Sequence, residues 1–146
     1  MNPSAPPSSS FTLRAVLIGV LAVIGLAMGT QYADSPRYIY EELLRRGSDL
    51  KKVWAYRGKI HVDDPRTRTV KRLSPSYFYA LGRARYWVNN QSFPAFLDRR
   101  PDGVYLQTWH GTPLKRMLHD LDTINGRDQG YVDRATHAAQ QWSVLV

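Results

Sequence analysis

The sequence predicts an α/β fold in which helices connect the strands of a parallel β-sheet. Short segments rich in β-branched and aromatic residues alternate with segments that have helical periodicity and helix-capping residues. Strands that alternate with helices in one chain favour a parallel sheet with crossover connections. The length of 146 residues is sufficient for one domain with a modest core.

The first 33 residues differ in composition from the rest of the chain. Residues 1–14 are rich in proline and serine, which predicts a disordered tail. Residues 15–33 are uncharged and, at 19 residues, come close to the roughly 20 that a membrane-spanning helix needs. We therefore predict a transmembrane or membrane-anchor helix at 15–33. A cleaved signal peptide, with small residues at Ala27 and Gly29, and a buried strand or helix are the alternatives.

The charges around this apolar segment predict its orientation. Arg14 precedes the segment, whereas five arginines and lysines follow it between residues 37 and 52. By the positive-inside rule, the remainder of the chain is expected on the cytoplasmic side of the cell membrane.

Local signals in residues 34–89 predict two helices and two strands. The first helix begins at Asp34-Ser35-Pro36, where serine caps and proline fits the first turn, and it ends at Gly47. Ser74-Pro75 predicts the start of the second helix in the same way. The predicted elements are a strand at 53–56, an irregular basic stretch at 57–73, a helix at 76–83 and a strand at 85–89.

Residues 91–146 predict the remaining elements. Val104-Tyr105-Leu106 are strand formers that follow the turn cluster Pro101-Asp102-Gly103. A buried strand at 142–146 would normally lead into another helix over the sheet, so we expect the chain to be part of a larger α/β protein. The predicted elements are a loop at 91–103, a strand at 104–108, a short helix at 113–118, a helix at 128–141 and an apolar strand at 142–146.

A histidine lies where the strand at 104–108 runs directly into a helix start. Thr112-Pro113 is typical of that start, and Gly111 allows the chain to bend sharply beside His110. Ligands of parallel sheets bind at the carboxyl ends of strands, and helix N-termini attract anions. The pattern predicts a phosphate-binding pocket beside His110. A histidine that only hydrogen-bonds the turn is the alternative interpretation.

Charge and residue content narrow the function classes. The net charge of +8 indicates a polyanionic partner such as nucleic acid, anionic lipid or a phosphate-rich polymer. No nucleic-acid-reading motif is recognisable, so nucleic acid is not expected as the partner. The absence of cysteine excludes disulfides, thiolate zinc sites and cysteine nucleophiles. His61, His119 and His137 have no metal-ligand spacing, so we predict neither a metal nor a cofactor.

Three sequence motifs resemble one known family. QTWHGTPLK at 107–115, DSPRYIY at 34–40 and YWVNN at 86–90 are similar to segments of the CDP-glycerol:poly(glycerophosphate) glycerophosphotransferases, which build teichoic acids and related polymers. The resemblance covers about residues 28–146. The start is expected to depart from the family, because the apolar segment before Met28 stands where the family continues its own first strand.

The resemblance implies a GT-B fold, in which two Rossmann-like halves hold the active site between them. Residues 34–146 match the first, acceptor-side half. The C-terminal half, which holds most CDP-glycerol contacts in the family, is expected to be missing. We therefore expect the 146-residue chain alone to be inactive in transfer.

The resemblance also implies a reaction. His110 would act as the general base that deprotonates a hydroxyl of a polyol-phosphate polymer or lipid-linked acceptor at the membrane. The hydroxyl would then attack the β-phosphorus of CDP-glycerol, and CMP would leave. The alternative function is a non-enzymatic, membrane-anchored basic module that binds anionic lipid or polymer.

Residue positions add candidate phosphate contacts. Lys115 and Arg116 fall in the first turn of the predicted helix, where cations are unfavourable unless an anion is near. Backbone N–H groups before that helix are available to the same anion, and a polar residue ends the strand at 85–89. The predicted substrate-binding residues are Gly111, Thr112, Lys115, Arg116 and Asn89.

Overall fold

The computed structural model describes residues 21–25, 34–58, 60–111 and 129–146. Within these ranges the chain forms six strands and three helices. The strands are β1 Leu21–Gly25, β2 Lys51–Tyr56, β3 Arg68–Lys71, β4 Tyr86–Asn89, β5 Val104–Gln107 and β6 Val144–Leu145. The helices are α1 Asp34–Arg45, α2 Pro75–Arg83 and α3 Gln129–Gln140.

The strands form one sheet in the order β3-β2-β1-β4-β5-β6, and every neighbouring pair is parallel. The order reverses between β1 and β4, as it does in dinucleotide-binding Rossmann sheets. The predicted α/β class with a parallel sheet is therefore confirmed. In folds of this kind ligands bind outside the carboxyl ends of the strands, near the reversal.

Apolar side chains alternate along β2 and so build a core on each face of the sheet. Trp54 packs with Tyr40 of α1 and Val88 of β4 on one face. On the other face, residues of β2, β4 and β5 pack against α2 and the loop after β4. The buried members of that second core are Val53, Ala55, Val70, Tyr77, Ala80, Leu81, Ala84, Trp87, Phe93 and Tyr105.

Gly47 and Ser74 cap the first two helices as predicted, whereas α1 begins at Asp34, so Ser35 lies within the helix rather than before it. Gly47 has a φ of 62°, and the N–H groups of Gly47 and Ser48 donate to Leu44 and Leu43 at 2.9 and 3.0 Å. This left-handed ending satisfies the last carbonyls of α1. Ser74 precedes α2, and its Oγ accepts the Tyr77 N–H at 3.3 Å. Both helix predictions are confirmed to within a few residues.

The apolar N-terminal segment contains a strand rather than the predicted anchor helix. β1 lies between β2 and β4, in the middle of the sheet. A central parallel strand is covered on both faces, so its sequence is a continuous apolar run that resembles a membrane segment. Residues 1–14, 15–20 and 26–33 lie outside the described ranges. Among the residues that the structure describes, no helix has both the length and the apolar character that a bilayer crossing requires.

The two edge strands also differ from the predictions. β3 lies in the stretch that was predicted to be irregular. The sequence does not show an alternating strand pattern there, because Val70 is the single buried residue of β3. β6 is an exposed edge strand rather than a buried one, with Leu145 59% exposed. The strands predicted at 53–56, 85–89 and 104–108 are confirmed with small shifts of their ends. The helix predicted at 113–118 lies outside the described residues.

Helix α3, close to the predicted 128–141, is held against the loop after β4. Gln141 follows α3, and its Oε1 accepts the Arg99 N–H at 2.7 Å while its Nε2 donates to the Leu97 carbonyl at 3.0 Å. The Arg99 guanidinium donates to the Gln141 carbonyl at 3.1 Å and also to the Gly103 carbonyl. These bonds fix the C-terminal end of α3 against the loop after β4.

Candidate active site

A cleft of about 570 Å³ opens at the carboxyl ends of β4 and β5. Its walls are the loop after β4, the turn after β5 and one face of α3. The described lining residues are Asn90, Gln91, Ser92, Phe93, Ala95, Gln107, Trp109, His110, Tyr131, Arg134, Ala135, Ala138, Ala139 and Trp142. The cleft lies at the sheet edge where parallel folds bind ligands.

His110 has a defined orientation in this cleft. Its Nδ1 lies 2.8 Å from the Asn90 carbonyl oxygen. A carbonyl only accepts hydrogen bonds, so Nδ1 carries the proton, and Nε2 of the neutral ring keeps its lone pair. The ring stacks on Trp109, with centroids 5.2 Å apart and planes 22° apart. The side chain is exposed to solvent, so Nε2 is available to accept a proton from a bound hydroxyl.

The turn that carries His110 is shaped by Trp109, which has a φ of 56°. This left-handed conformation is uncommon for a large side chain and requires support from neighbouring groups. The support comes from Gln107, whose Oε1 accepts the Trp109 N–H at 3.1 Å. The Trp109 ring also packs edge-on against Trp142, with centroids 6.0 Å apart.

Gln107 links three parts of the site through one buried amide. Besides its bond to Trp109, its Nε2 donates to the Gln91 carbonyl at 2.9 Å. The same carbonyl accepts the Tyr105 hydroxyl at 3.0 Å. Burial raises the pKa of Tyr105 above its usual range, so this hydroxyl stays protonated and donates. Gln107 is 1% exposed, and it was not among the site residues predicted from the sequence.

Replacement of Gln107 by leucine is expected to lower the free energy of unfolding by about 1–3 kcal/mol. The change leaves the Trp109 N–H and the Gln91 carbonyl without this partner. Urea denaturation followed by fluorescence measures the effect. The matched control is Gln91→Ala, because Gln91 contributes its backbone carbonyl to this network. Equal destabilisation by the two variants would contradict the role given to the Gln107 amide.

Helix α3 brings a cation to the cleft. Three residues of α3 are spaced three or four positions apart and share the face that lines the cleft: Tyr131, Arg134 and Ala138. Trp142, which follows the helix, lines the cleft as well. Arg134 is the one cation among the described lining residues. Sequence reasoning missed it, because a lone arginine on a helix is usually a solvated surface residue. The spacing of small and aromatic residues around Arg134 was the available signal that this face of the helix packs towards the cleft.

The structure brings some predicted site residues into the cleft and leaves others out. His110 lines it, and Gly111 follows on the exposed turn but is not among the lining residues. Asn89 is buried beneath, opposite Gln107 in the β4–β5 pairing, and its neighbour Asn90 lines the cleft instead. Thr112, Lys115 and Arg116 lie outside the described residues. Within those residues no three histidine, aspartate or glutamate side chains assemble as metal ligands.

Comparison with known proteins decides the family. The profile of the CDP-Glycerol:Poly(glycerophosphate) glycerophosphotransferases matches residues 17–146. The chain belongs to this family. The match includes β1, which corrects the expectation that the likeness begins near residue 28 and that the preceding segment departs from the family.

Relatives of known function point the same way. The chain is 35% identical over 123 residues to a teichoic acid glycerol-phosphate transferase of Staphylococcus aureus, covering 81% of this chain and 31% of that protein. It is 36% identical over 97 residues to a teichoic acid poly(glycerol phosphate) polymerase of Staphylococcus epidermidis, covering 66% and 14%. The family and these relatives are glycerophosphate transferases, which are enzymes.

The fold is similar to a solved structure. The wall teichoic acid polymerase TagF superposes with a TM-score of 0.78 at 30% identity, covering 86% of this chain and 32% of that one. A variant of the same polymerase, similar to this chain at 29% identity, was soaked with CDPG. The chain thus spans less than a third of the lengths of these relatives.

Proposed function

We propose that this chain supplies the acceptor side of a site that transfers glycerol phosphate from CDP-glycerol to a teichoic-acid-type acceptor. The observation that carries the proposal is His110, fixed through Nδ1 with Nε2 open to the cleft. The family match and the relatives' activities support the same chemistry. The sheet would be the first of two Rossmann-like halves. The existence of the second half stays a prediction.

The proposed reaction is an acid–base step coupled to phosphoryl transfer. Nε2 of His110 takes the proton of the acceptor hydroxyl as its oxygen attacks the β-phosphorus of CDP-glycerol. The new phosphorus–oxygen bond forms while the bond to the oxygen of CMP breaks, and CMP leaves with the electron pair. The imidazolium that results keeps its Nδ1–H bond to the Asn90 carbonyl.

The cleft offers a means of holding phosphate beside this base. Arg134 lines the cleft together with His110. Guanidinium groups recognise phosphate through charge-assisted, often bidentate hydrogen bonds. We propose that Arg134 binds a phosphate of the acceptor, which positions the terminal hydroxyl at Nε2.

A chimera tests the activity. Residues 17–146 would replace the matching segment of the Staphylococcus aureus transferase, and CMP release from CDP-glycerol would be measured with a glycerol-phosphate acceptor. We expect the chimera to release CMP in an acceptor-dependent manner. A well-folded chimera without acceptor-dependent release would contradict the proposed function.

Arg134→Gln in the chimera is expected to lower kcat/KM for the acceptor roughly 10–100-fold, because one charge-assisted contact contributes about 1.5–3 kcal/mol. Arg134→Lys should recover part of the loss, since lysine keeps the charge but not the bidentate geometry. The control is Arg100→Gln, an exposed arginine paired with Asp102 outside the cleft. Unchanged acceptor kinetics in Arg134→Gln would contradict the assignment.

Action at the cytoplasmic face of the membrane stays a prediction, supported by the net charge of +8. The position of β1 within the sheet removes the main support for the alternative of a membrane-anchored, non-enzymatic module.

A further inference from the structure

A second concave surface lies at the amino ends of the strands, opposite the His110 cleft, where β2 and β3 begin. It is a groove of about 460 Å³ between the loop after α1, the starts of β2 and β3, and α2. The described lining residues are Ser48, Asp49, Leu50, Lys51, Lys52, Val53, Arg66, Arg68, Tyr79, Ala80 and Arg83. We call this surface the basic groove. It is separated from the His110 cleft by the length of the strands.

The basic groove carries a strong excess of positive charge, with five cations and one carboxylate among its described lining residues. Lys51, Arg68 and Arg83 are exposed, and none of them forms an ion pair with a carboxylate in the part of the chain that the structure describes. Arg66, by contrast, forms an ion pair with Asp64, with its Nε 3.2 Å from Oδ1. Clustered cations without acidic partners repel one another, and an anion in the groove would relieve that repulsion.

Two of the lining cations are held in place by the fold. Lys52 is 2% exposed, and its ammonium donates to the carbonyls of Ser48 and Leu50 at 3.3 and 3.1 Å. The Arg83 guanidinium lies over the Tyr79 ring, 5.7 Å from its centroid. Arg83, positioned in this way, loses less side-chain freedom on binding than a mobile surface lysine does, whereas the buried Lys52 contributes positive charge beneath the surface. The groove is thus partly organised before any ligand arrives.

The shape of the surface selects among polyanions. A bilayer presents its charges on a broad, nearly flat surface and would contact protruding side chains. In the basic groove the cations line concave walls formed by strand starts and a helix. A flexible chain with repeated phosphate groups can enter such a groove and meet several cations in succession.

We propose that the basic groove binds a phosphodiester polyanion, which under the proposed function is the growing acceptor polymer. The groove would then hold the polymer at a distance from the His110 cleft and keep the acceptor on the protein between transfers. This inference rests on the proposed function for the identity of the polymer, but the binding itself is measured without catalysis.

The test is fluorescence anisotropy with a labelled glycerol-phosphate oligomer and the 146-residue chain across a series of salt concentrations. Arg68→Gln combined with Arg83→Gln is expected to weaken binding roughly tenfold or more and to lower the slope of log affinity against log salt by about two. The control combines Arg57→Gln with Lys71→Gln. These two exposed cations lie at the other ends of β2 and β3, outside the lining residues, and their loss removes the same charge.

Several outcomes would overturn the proposal. The first is equal weakening of oligomer binding by the control pair, and the second is absence of oligomer binding to the parent chain. The third is that the groove substitutions weaken binding to phosphatidylglycerol vesicles but leave binding to the oligomer unchanged. Circular dichroism checks that the variants fold, and Lys51→Gln is an independent variant that should also weaken binding. Transfer is measured separately in the chimera, so failure of transfer together with intact oligomer binding by the 146-residue chain would concern the proposed function alone.

Discussion

Replacement of His110 by alanine is expected to slow CMP release by the chimera roughly 10²–10⁴-fold, which is the usual contribution of a general base. Alanine removes Nε2, the atom to which the acceptor proton would move. It also removes the bond between Nδ1 and the Asn90 carbonyl. The acceptor and donor should still bind, so the loss should fall mainly on kcat.

His137→Ala is the matched control for this variant. His137 lies on α3 and is exposed, and its Nε2 contacts Asp98 at 3.1 Å rather than the cleft. CMP release should stay close to that of the parent chimera. Similar losses from the two histidine variants would indicate general damage to the chimera and would contradict a specific role for His110.

Trp87→Ala is expected to lower the free energy of unfolding by about 3–5 kcal/mol, as removal of a large buried aromatic side chain usually does. Trp87 is 3% exposed and packs between Phe93 and Tyr105, with ring centroids 4.9 and 5.9 Å away. Its Nε1 donates to the Leu81 carbonyl at 3.1 Å, which ties β4 to α2. Because Phe93 lines the cleft, the variant should also loosen the wall opposite α3.

Urea denaturation measures this loss. The control is Phe96→Ala, since Phe96 is 74% exposed and surface substitutions usually change stability by about 0.5 kcal/mol or less. Trp87→Phe should fall between the two, because a smaller ring keeps part of the packing but not the hydrogen bond. Equal effects of Trp87→Ala and Phe96→Ala would contradict the core assignment.

Elements with local signals could be predicted from the sequence. α1 and α2 carry their own caps at Gly47 and Ser74, and these signals act over a few residues. β4 and β5 are short aromatic and β-branched runs between turns. The position of His110 after a strand also followed from local order, because parallel strands expose their carboxyl ends at one edge.

Features that depend on distant contacts could not be predicted in the same way. The run containing β1 has the length and apolarity of a membrane segment, and only pairing with β2 and β4 makes it a central strand. The edge strand β3 has one buried residue and therefore no readable pattern.

The walls of the cleft show the same limit. Gln107 acts through the Gln91 carbonyl, 16 residues away in sequence. Arg134 lines the cleft from α3, whose C-terminal end is bonded through Gln141 to the loop at 97–99. Neither partnership leaves a local sequence signal, so the histidine could be selected from the sequence while its supporting residues could not.

Chemical rescue tests the central claim most directly, because it asks whether a base in this cleft is what the reaction needs. CMP release would be measured for the His110→Ala chimera with and without added imidazole. The account predicts slow release alone and a saturable increase with imidazole, with no such increase for the His137→Ala chimera. Full activity of His110→Ala without imidazole, or a loss that imidazole leaves unchanged, would contradict it.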